Sequence, residues 1–221
     1  MDTKTFEVGD AIRFGWEKTK ANLNLVVVLT LVAALATGLP SAIARGLQDS
    51  APALAGLFNL AGTVISLIIG VGATRISLRL HDGGTAAVRD LFAVEGPLLW
   101  RYVLASLLYV LIVAVGTVLL VIPGIIFAVR YIFYGYAVVD RGALPMESMA
   151  QSAAATKGVW WNVSLFGLVL ILLNILGAML LVVGLLITTP ISAIAAAWVY
   201  RRLTGTAPAI VPAAAAGPVA S

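Results

Sequence analysis

Few residues in this sequence combine the types and spacing that chemistry needs. His81 and Asp82 stand together in the stretch LHDGG, and the same dipeptide occurs in metal-dependent phosphohydrolases. A metal site of that kind needs several histidine and carboxylate ligands that converge, and the sequence has one histidine and no cysteine. Because two glycines follow the dipeptide, it predicts a turn rather than a metal site.

Nucleophilic catalysis is equally unsupported by the residue pattern. A Ser-His-Asp or Ser-Lys arrangement needs a base beside the serine, and the lysines stand only near the ends of apolar segments. No glycine-rich phosphate loop can be placed between a strand and a helix, because the sequence predicts no strands. We therefore expect no enzymatic activity, no cofactor and no metal.

Arg130 is the most unusual polar residue, because it lies near the middle of the apolar stretch VIPGIIFAVRYIFYGYAVVDRG at 121–142. A central arginine costs roughly 2.5–3.5 kcal/mol on insertion scales, so we expect it to point into a helix bundle. Tyr134 lies one turn further on, and Asn59 and Asn174 are further neutral acceptors within apolar segments. Two roles stay open for this predicted polar site: structural hydrogen bonding, or binding an anion such as a lipid phosphate or a carboxylate solute.

The composition indicates what positions these residues. The 221 residues are 61% hydrophobic and 11% charged, with a mean hydropathy of +1.04. Soluble domains carry about a quarter charged residues, so much of this surface must face lipid. The net charge of +4 does not indicate nucleic acid, because the cations end apolar segments, where anionic headgroups lie. Six of them are candidate headgroup contacts: Arg75, Arg79, Arg101, Lys157, Arg201 and Arg202.

Apolar length predicts an all-α, polytopic membrane protein with six crossings, since a spanning helix needs about 20 apolar residues. Pro123 and Pro190 are expected to begin or break the two short crossings. The predicted crossings are Leu23–Ala44, Ala53–Leu80, Leu98–Val121, Gly124–Val139, Val159–Leu185 and Ile187–Arg202. Together they form one domain over residues 1–203, followed by a disordered Ala- and Pro-rich cytoplasmic tail at 204–221.

Lysine and arginine lie mostly on one side of these crossings, and the opposite side has only Arg45. This asymmetry predicts that both termini are cytoplasmic. The segment before the first crossing is long and acidic for a signal peptide, so we expect that crossing to be retained. All five tryptophans fall at the same predicted cytoplasmic boundary, where indole rings prefer to lie: Trp16, Trp100, Trp160, Trp161 and Trp198.

The crossings form three hairpins, each preceded by a short segment of mixed polarity, so we interpret the chain as three pseudo-repeats of one unit. Each unit comprises a cytoplasmic interfacial helix, a crossing, a tight outer turn and a return crossing. In the third unit Pro145 suits a first helical position. Met146, Met149, Ala150 and Ala153 then share a face that we expect to lie on the membrane surface.

Small residues recur at a spacing of four in the second crossing, at Gly62, Ser66 and Gly70. Such a row lets two helix backbones approach closely, which stabilises packing in lipid. We therefore expect this row to face another helix.

The region from about residue 120 to 203 resembles a group of uncharacterised bacterial membrane proteins that are similar to the membrane domain of glycerophosphodiester phosphodiesterases. An aromatic residue expected after Ser152 is replaced by Ala153, and no phosphodiesterase domain follows. The resemblance implies a membrane module without catalytic residues. It rests on Ile122-Pro123-Gly124, Arg130, Asp140, Glu147, Ser152, Thr156-Lys157-Gly158, Trp160-Trp161, Asn174, Gly177, Gly184, Pro190 and Tyr200-Arg201.

These observations favour a non-enzymatic protein of the bacterial inner membrane, a scaffold or accessory subunit that contacts anionic lipid. The alternative is a small transporter or channel for an anionic or lipid-like solute. A polar cavity that reaches Arg130 would distinguish the second from the first. The expected partners are membrane lipids and either a second copy of the chain or another membrane protein.

Overall fold

The computed structural model describes residues 6–205, apart from the side chains of residues 181–183. No strand occurs in this described part of the chain, which is helical except for short connections. Its helices are α1 (Val8–Ala21), α2 (Leu23–Leu47), α3 (Pro52–His81), a short 3-10 helix (Val88–Leu91), α4 (Gly96–Leu119), α5 (Val121–Arg130), α6 (Tyr134–Arg141), α7 (Pro145–Thr156), α8 (Trp160–Met179) and α9 (Leu181–Thr204). Most of the predicted tail, residues 206–221, lies outside the described residues.

Six helical segments are long and apolar enough to span a membrane, as the sequence predicted, and they indicate a multi-pass membrane protein. Two predicted boundaries are wrong. The last turn falls at Leu180 rather than after Leu185, and α9 runs without a break through Pro190. The two helices approach so closely at this turn that a Cβ added to Gly184 would lie 2.8 Å from Gly177 Cα. Only glycine therefore fits at position 184. The spans are Leu23–Leu47, Pro52–His81, Gly96–Leu119, Val121–Arg141, Trp160–Met179 and Gly184–Thr204.

The last helix lies at the centre of the bundle. It contacts α1, α2, α3, α7 and α8, and it is the most buried of the six spans. Its final turns pack Ala195, Val199 and Tyr200 into the larger apolar core, together with Phe133 and Phe166. A second apolar cluster joins α2 and α3 to α9 and to the 3-10 helix. Neighbouring helices also pair as hairpins, namely α2 with α3, α4 with α5, and α8 with α9.

Only two of the three leader segments are α-helical. The second leader forms the 3-10 helix Val88–Leu91, which packs against α3. The contact is so close that an added Cβ at Gly72 would lie 2.6 Å from Leu91 Cα. Tertiary packing on a glycine of α3 therefore determines the position of this segment, which the sequence pattern could not reveal.

Helix α7 begins at Pro145 as predicted, but one residue of its predicted membrane-surface face, Met149, is instead buried in the bundle. Ser148, Ser152, Ala155 and Thr156 are buried with it. Met146, expected on the membrane-surface face, is 72% exposed. The two serines can face inward because each donates to a backbone carbonyl oxygen, so neither hydroxyl is buried without a partner.

The small-residue row on α3 faces two different neighbours instead of one. A Cβ added at Gly62 would meet Pro40 of α2 at 3.3 Å, whereas one at Gly70 would meet the Tyr102 hydroxyl of α4 at 3.2 Å. Ser66, between them, is exposed and donates to the Gly62 carbonyl oxygen at 2.8 Å. The expectation of a helix contact therefore holds for the glycines and is wrong for Ser66.

Candidate functional site

Three charged side chains meet where α3, α6 and α9 end. Asp82 follows α3 directly, Asp140 lies in the last turn of α6, and Arg201 lies in the last turn of α9. We call this group the ion cluster, and the end of the bundle that it occupies the ion-cluster end. The side chains of Arg201, Asp140 and Asp82 are only 5%, 6% and 15% exposed, so the cluster is part of the interior.

The guanidinium of Arg201 bridges both carboxylates. Its Nη2 and Nε donate to Asp82 Oδ2 and Oδ1 at 2.8 and 3.3 Å, which is the two-point geometry that arginine offers a carboxylate. Its Nη1 donates to Asp140 Oδ2 at 2.8 Å, and the Tyr200 hydroxyl donates to the same oxygen at 3.2 Å. His81 Nδ1 lies 2.9 Å from Asp82 Oδ1. The arrangement thus ties the ends of three helices together.

The geometry of the ion cluster suits a structural role, because its hydrogen bonds join the ends of three helices. A second cation, Arg141, brings Nε to 4.0 Å from Asp140 Oδ2 and offsets the extra negative charge of the pair of carboxylates. Each carboxylate accepts hydrogen bonds from neighbouring side chains. Among the described residues, no three histidine or carboxylate side chains converge as metal ligands. The glycine that follows His81-Asp82 has φ of +82°, which agrees with the predicted turn.

The six predicted headgroup contacts separate into three groups. Arg201 is wrong as a headgroup contact, because two buried carboxylates hold its guanidinium inside the bundle. Lys157 and Arg202 are exposed, and Arg202 lies 5.9 Å from the Trp198 ring. The other three are half-buried and each bonds across a loop: Arg75 to the Ala93 carbonyl at 2.7 Å, Arg79 to Asp90 at 3.2 Å, and Arg101 to the Gly142 carbonyl at 2.6 Å.

Arg130 does not point into the bundle, so that expectation is wrong; its side chain is exposed at the end of α5. The reason is a break in the fourth span between α5 and α6. The Arg130 carbonyl accepts hydrogen bonds from Ser152 at 3.0 Å and Thr156 at 3.2 Å, and Phe133 N–H donates to Ser152 at 3.1 Å. Helix α7 thus satisfies the backbone groups that the break frees, as lipid-embedded structure requires.

Because of the break, Arg130 also lies at a different level along the bundle from the predicted one. Lys157 directly follows Thr156, which bonds to the Arg130 carbonyl, and α8 begins three residues later at Trp160. Arg130 therefore lies level with an exposed lysine and a tryptophan pair, not at the centre of the span. A long cationic side chain at that level reaches polar surroundings without a partner inside the bundle.

The other members of the predicted polar site do not meet Arg130. The Tyr134 hydroxyl lies 3.1 Å from Ser106 Oγ, and its ring stacks on Tyr109 at 4.8 Å. Asn174 Nδ2 donates to Ser192 Oγ at 2.8 Å, which links α8 to α9. Asn59 is exposed on α3. These four residues thus occupy separate places rather than one site.

Comparison with known proteins identifies relatives that are themselves named as uncharacterized proteins. The chain is 26% identical over 233 aligned positions to the uncharacterized protein Rv2560 of Mycobacterium tuberculosis, with 93% of this chain and 71% of the relative aligned. The uncharacterized protein Mb2590 of Mycobacterium bovis matches with the same identity and coverage. No protein-family model matches the chain, and no solved structure matches it.

Proposed function

We propose that this protein is a non-enzymatic, six-span protein of the bacterial inner membrane that serves as a scaffold or accessory subunit. In this proposal both termini are cytoplasmic, the ion-cluster end faces the cytoplasm, and exposed cations there contact anionic lipid. The observation that carries the proposal is that the polar groups form two sets, one buried and one exposed. The buried ones hold helices to each other, and two exposed cations, Lys157 and Arg202, lie beside tryptophans at one end.

The buried polar groups support a structural role. The ion cluster joins three helix ends, the Asn174–Ser192 bond joins α8 to α9, and Ser152 covers the break in the fourth span. Each of these groups already has a partner inside the bundle, which is typical of buried polar groups that stabilise a fold. A rigid bundle of this kind suits a protein that presents surfaces rather than one that performs chemistry.

The open cations support lipid contact. Lys157 is exposed next to the Trp160 and Trp161 pair, and Arg202 is exposed next to Trp198. Indole rings prefer the boundary between hydrocarbon and headgroups, and each lysine or arginine near an anionic surface adds about 1 kcal/mol of attraction. Arg130 joins this group because it lies level with Lys157.

The proposal retains three hairpin pseudo-repeats. Its support is that each returning helix contributes one residue of the ion cluster from its own end, namely Asp82, Asp140 and Arg201. An interfacial role is retained for α1 and is withdrawn for the second leader, which is not an α-helix. The resemblance to membrane domains of glycerophosphodiester phosphodiesterases stays a prediction.

A small transporter or channel for an anionic or lipid-like solute stays the alternative. It predicts a polar cavity that reaches Arg130. The cavity between α2, α3 and α9 does not meet that prediction, because it is apolar and Arg130 does not line it.

Lipid contact can be tested by thermal denaturation of detergent-solubilised protein with added phosphatidylglycerol or phosphatidylcholine. We expect phosphatidylglycerol to stabilise the protein more. Replacing Lys157 and Arg202 by glutamine should reduce that difference, whereas Arg45→Gln at the opposite end should not. Equal stabilisation by the two lipids would contradict lipid contact through charge.

The orientation can be tested with the single substitutions Ser50→Cys and Thr85→Cys, since Ser50 and Thr85 are both exposed at opposite ends of α3. The 30 residues of α3 span about 45 Å at 1.5 Å each. An impermeant thiol reagent added to intact cells should therefore label the Ser50→Cys variant but not the Thr85→Cys variant. Labelling of the Thr85→Cys variant alone would invert the orientation, and labelling of both variants would contradict the six-span topology.

A further inference from the structure

A cavity of about 170 Å³ lies between α2, α3 and α9. Aliphatic side chains line most of it, among them Val26, Leu29 and Ile194. Two of its hydroxyl groups are already bonded within their own helices, since Thr30 and Ser77 each donate to a carbonyl oxygen at 2.8 Å. An apolar cavity of about 150 Å³ stays dry and admits a small hydrocarbon, so this one suits hydrocarbon rather than water.

The depth of the cavity matches one leaflet of a bilayer. On α3 its lining runs from Ile69 to Leu80, and eleven helical rises of 1.5 Å place these two residues about 16.5 Å apart along the helix axis. Half of a hydrocarbon core of about 30 Å is about 15 Å. The inner limit, Leu80, lies two residues before Asp82 of the ion cluster. The cavity is partly open to the outside of the bundle, so a chain in that leaflet can enter from the side.

Positive charge lies at the end of the cavity that is nearest the ion cluster. Lys18 and Lys20 are in the last turn of α1, directly before α2 begins at Leu23. The Lys18 ammonium lies 5.6 Å from the centre of the Phe14 ring, and Phe14 packs against the apolar cluster that lines the cavity. Neither lysine has an ion-pair partner within the described residues, since the nearby Glu17 pairs with Arg13.

We propose that this cavity holds part of one acyl chain of an anionic phospholipid, whose phosphate contacts Lys18 and Lys20. The inference rests on the proposed function, because it requires an anionic lipid in the leaflet at the ion-cluster end. It adds a defined place for that lipid, between α2 and α9, and a cation pair different from Lys157 and Arg202. The lipid is thereby a bound component of the bundle and not only part of its surroundings.

The first test fills the cavity. Ala33 lines it, whereas the next residue, Ala34, is exposed on the same helix. We expect Ala33→Phe to weaken phosphatidylglycerol binding about ten-fold or more, the change expected when burial of two methylene groups is lost. Ala34→Phe should bind as the wild type does. Binding is measured as lipid retained in native mass spectrometry across a lipid titration, in detergent.

The second test needs no change in the cavity and covers the case in which Ala33→Phe does not fold. Wild-type protein is titrated with phosphatidylglycerol, phosphatidylcholine and glycerol 3-phosphate. We expect tight retention of the first, at least about five-fold weaker retention of the second, and none of the third. Lys18→Gln and Lys20→Gln should each weaken phosphatidylglycerol binding about five-fold, and Arg45→Gln should not.

The outcomes separate this inference from the proposed function. If the wild type retains and responds to no anionic lipid, both fail. If it responds to phosphatidylglycerol while Ala33→Phe and the two lysine variants respond equally well, the proposed function stands and the cavity site is refuted. Retention of glycerol 3-phosphate as strong as that of the whole lipid would also refute it, because the acyl chain would then contribute nothing.

Discussion

Removal of the guanidinium of Arg201 should destabilise the protein more than any other change at the ion-cluster end. In Arg201→Gln, the carboxylates of Asp82 and Asp140 lose a shared cation while their side chains remain 15% and 6% exposed. Leaving a buried charge without its partner costs about 3–5 kcal/mol. For soluble domains of similar length, each kcal/mol lowers the melting temperature by about 2–4 °C, so the expected loss is roughly 6–20 °C.

The neighbouring residue provides the matched control. Arg202 has the same side chain on the same helical turn but is exposed, so Arg202→Gln should change stability by about 0.5 kcal/mol or less. Arg201→Lys should recover only part of the loss, because one ammonium cannot give the two-point contact to Asp82 and also reach Asp140. Each variant is purified in detergent and melted with static light scattering or intrinsic fluorescence as the readout. Equal melting temperatures for Arg201→Gln and Arg202→Gln would refute the argument that the cluster holds the three helices together.

Two further changes test the packing. Ser152→Ala removes one of the two side-chain donors to the Arg130 carbonyl and the acceptor of the Phe133 N–H at the break, so we expect a loss of about 1–3 kcal/mol. Ser164→Ala is the control, since the Ser164 hydroxyl bonds only within α8. Equal losses of stability in the two variants would show that the break does not depend on the hydrogen bonds of Ser152. Gly72→Ala should lower the melting temperature because its Cβ has no room beside the 3-10 helix, whereas Gly56→Ala on the same helix, with nothing within 4 Å, should be neutral or slightly stabilising. Similar melting curves for these two variants would contradict the close contact.

The sequence predicted the spans well because apolar length is a local property. All six spans were predicted, and the errors concern where the spans end and where they are interrupted. The division between the fifth and sixth spans was predicted after Leu185, yet the chain turns at Leu180, where the helices approach closely at Gly177 and Gly184. The break after Arg130 was missed because it depends on α7, whose serine and threonine supply the hydrogen bonds. Contacts of that kind connect residues about twenty positions apart and leave no periodic pattern.

The ion cluster was missed for a different reason. Its bonds connect residues 61 and 119 positions apart, and each member taken alone resembles an ordinary charge at a helix end. A signal was nevertheless present, because the three returning helices finish with two acids and one base at equivalent places. Comparing the ends of the three hairpins would have suggested that Asp82, Asp140 and Arg201 pair. The prediction of Arg201 as a headgroup contact treated it like Arg202, although adjacent helical residues point about 100° apart.

The position of the ion cluster along the chain also determines when it can form during synthesis. Its two acids belong to the first and second hairpins, and its base belongs to the last helix, 119 residues after Asp82. At about 5–20 residues per second, that interval lasts roughly 6–24 s. Over the last 61 of those residues, the nascent chain holds both carboxylates without the guanidinium that bridges them. A chain that stops before α9 therefore lacks the link between the ends of α3 and α6, which distinguishes unfinished molecules from finished ones.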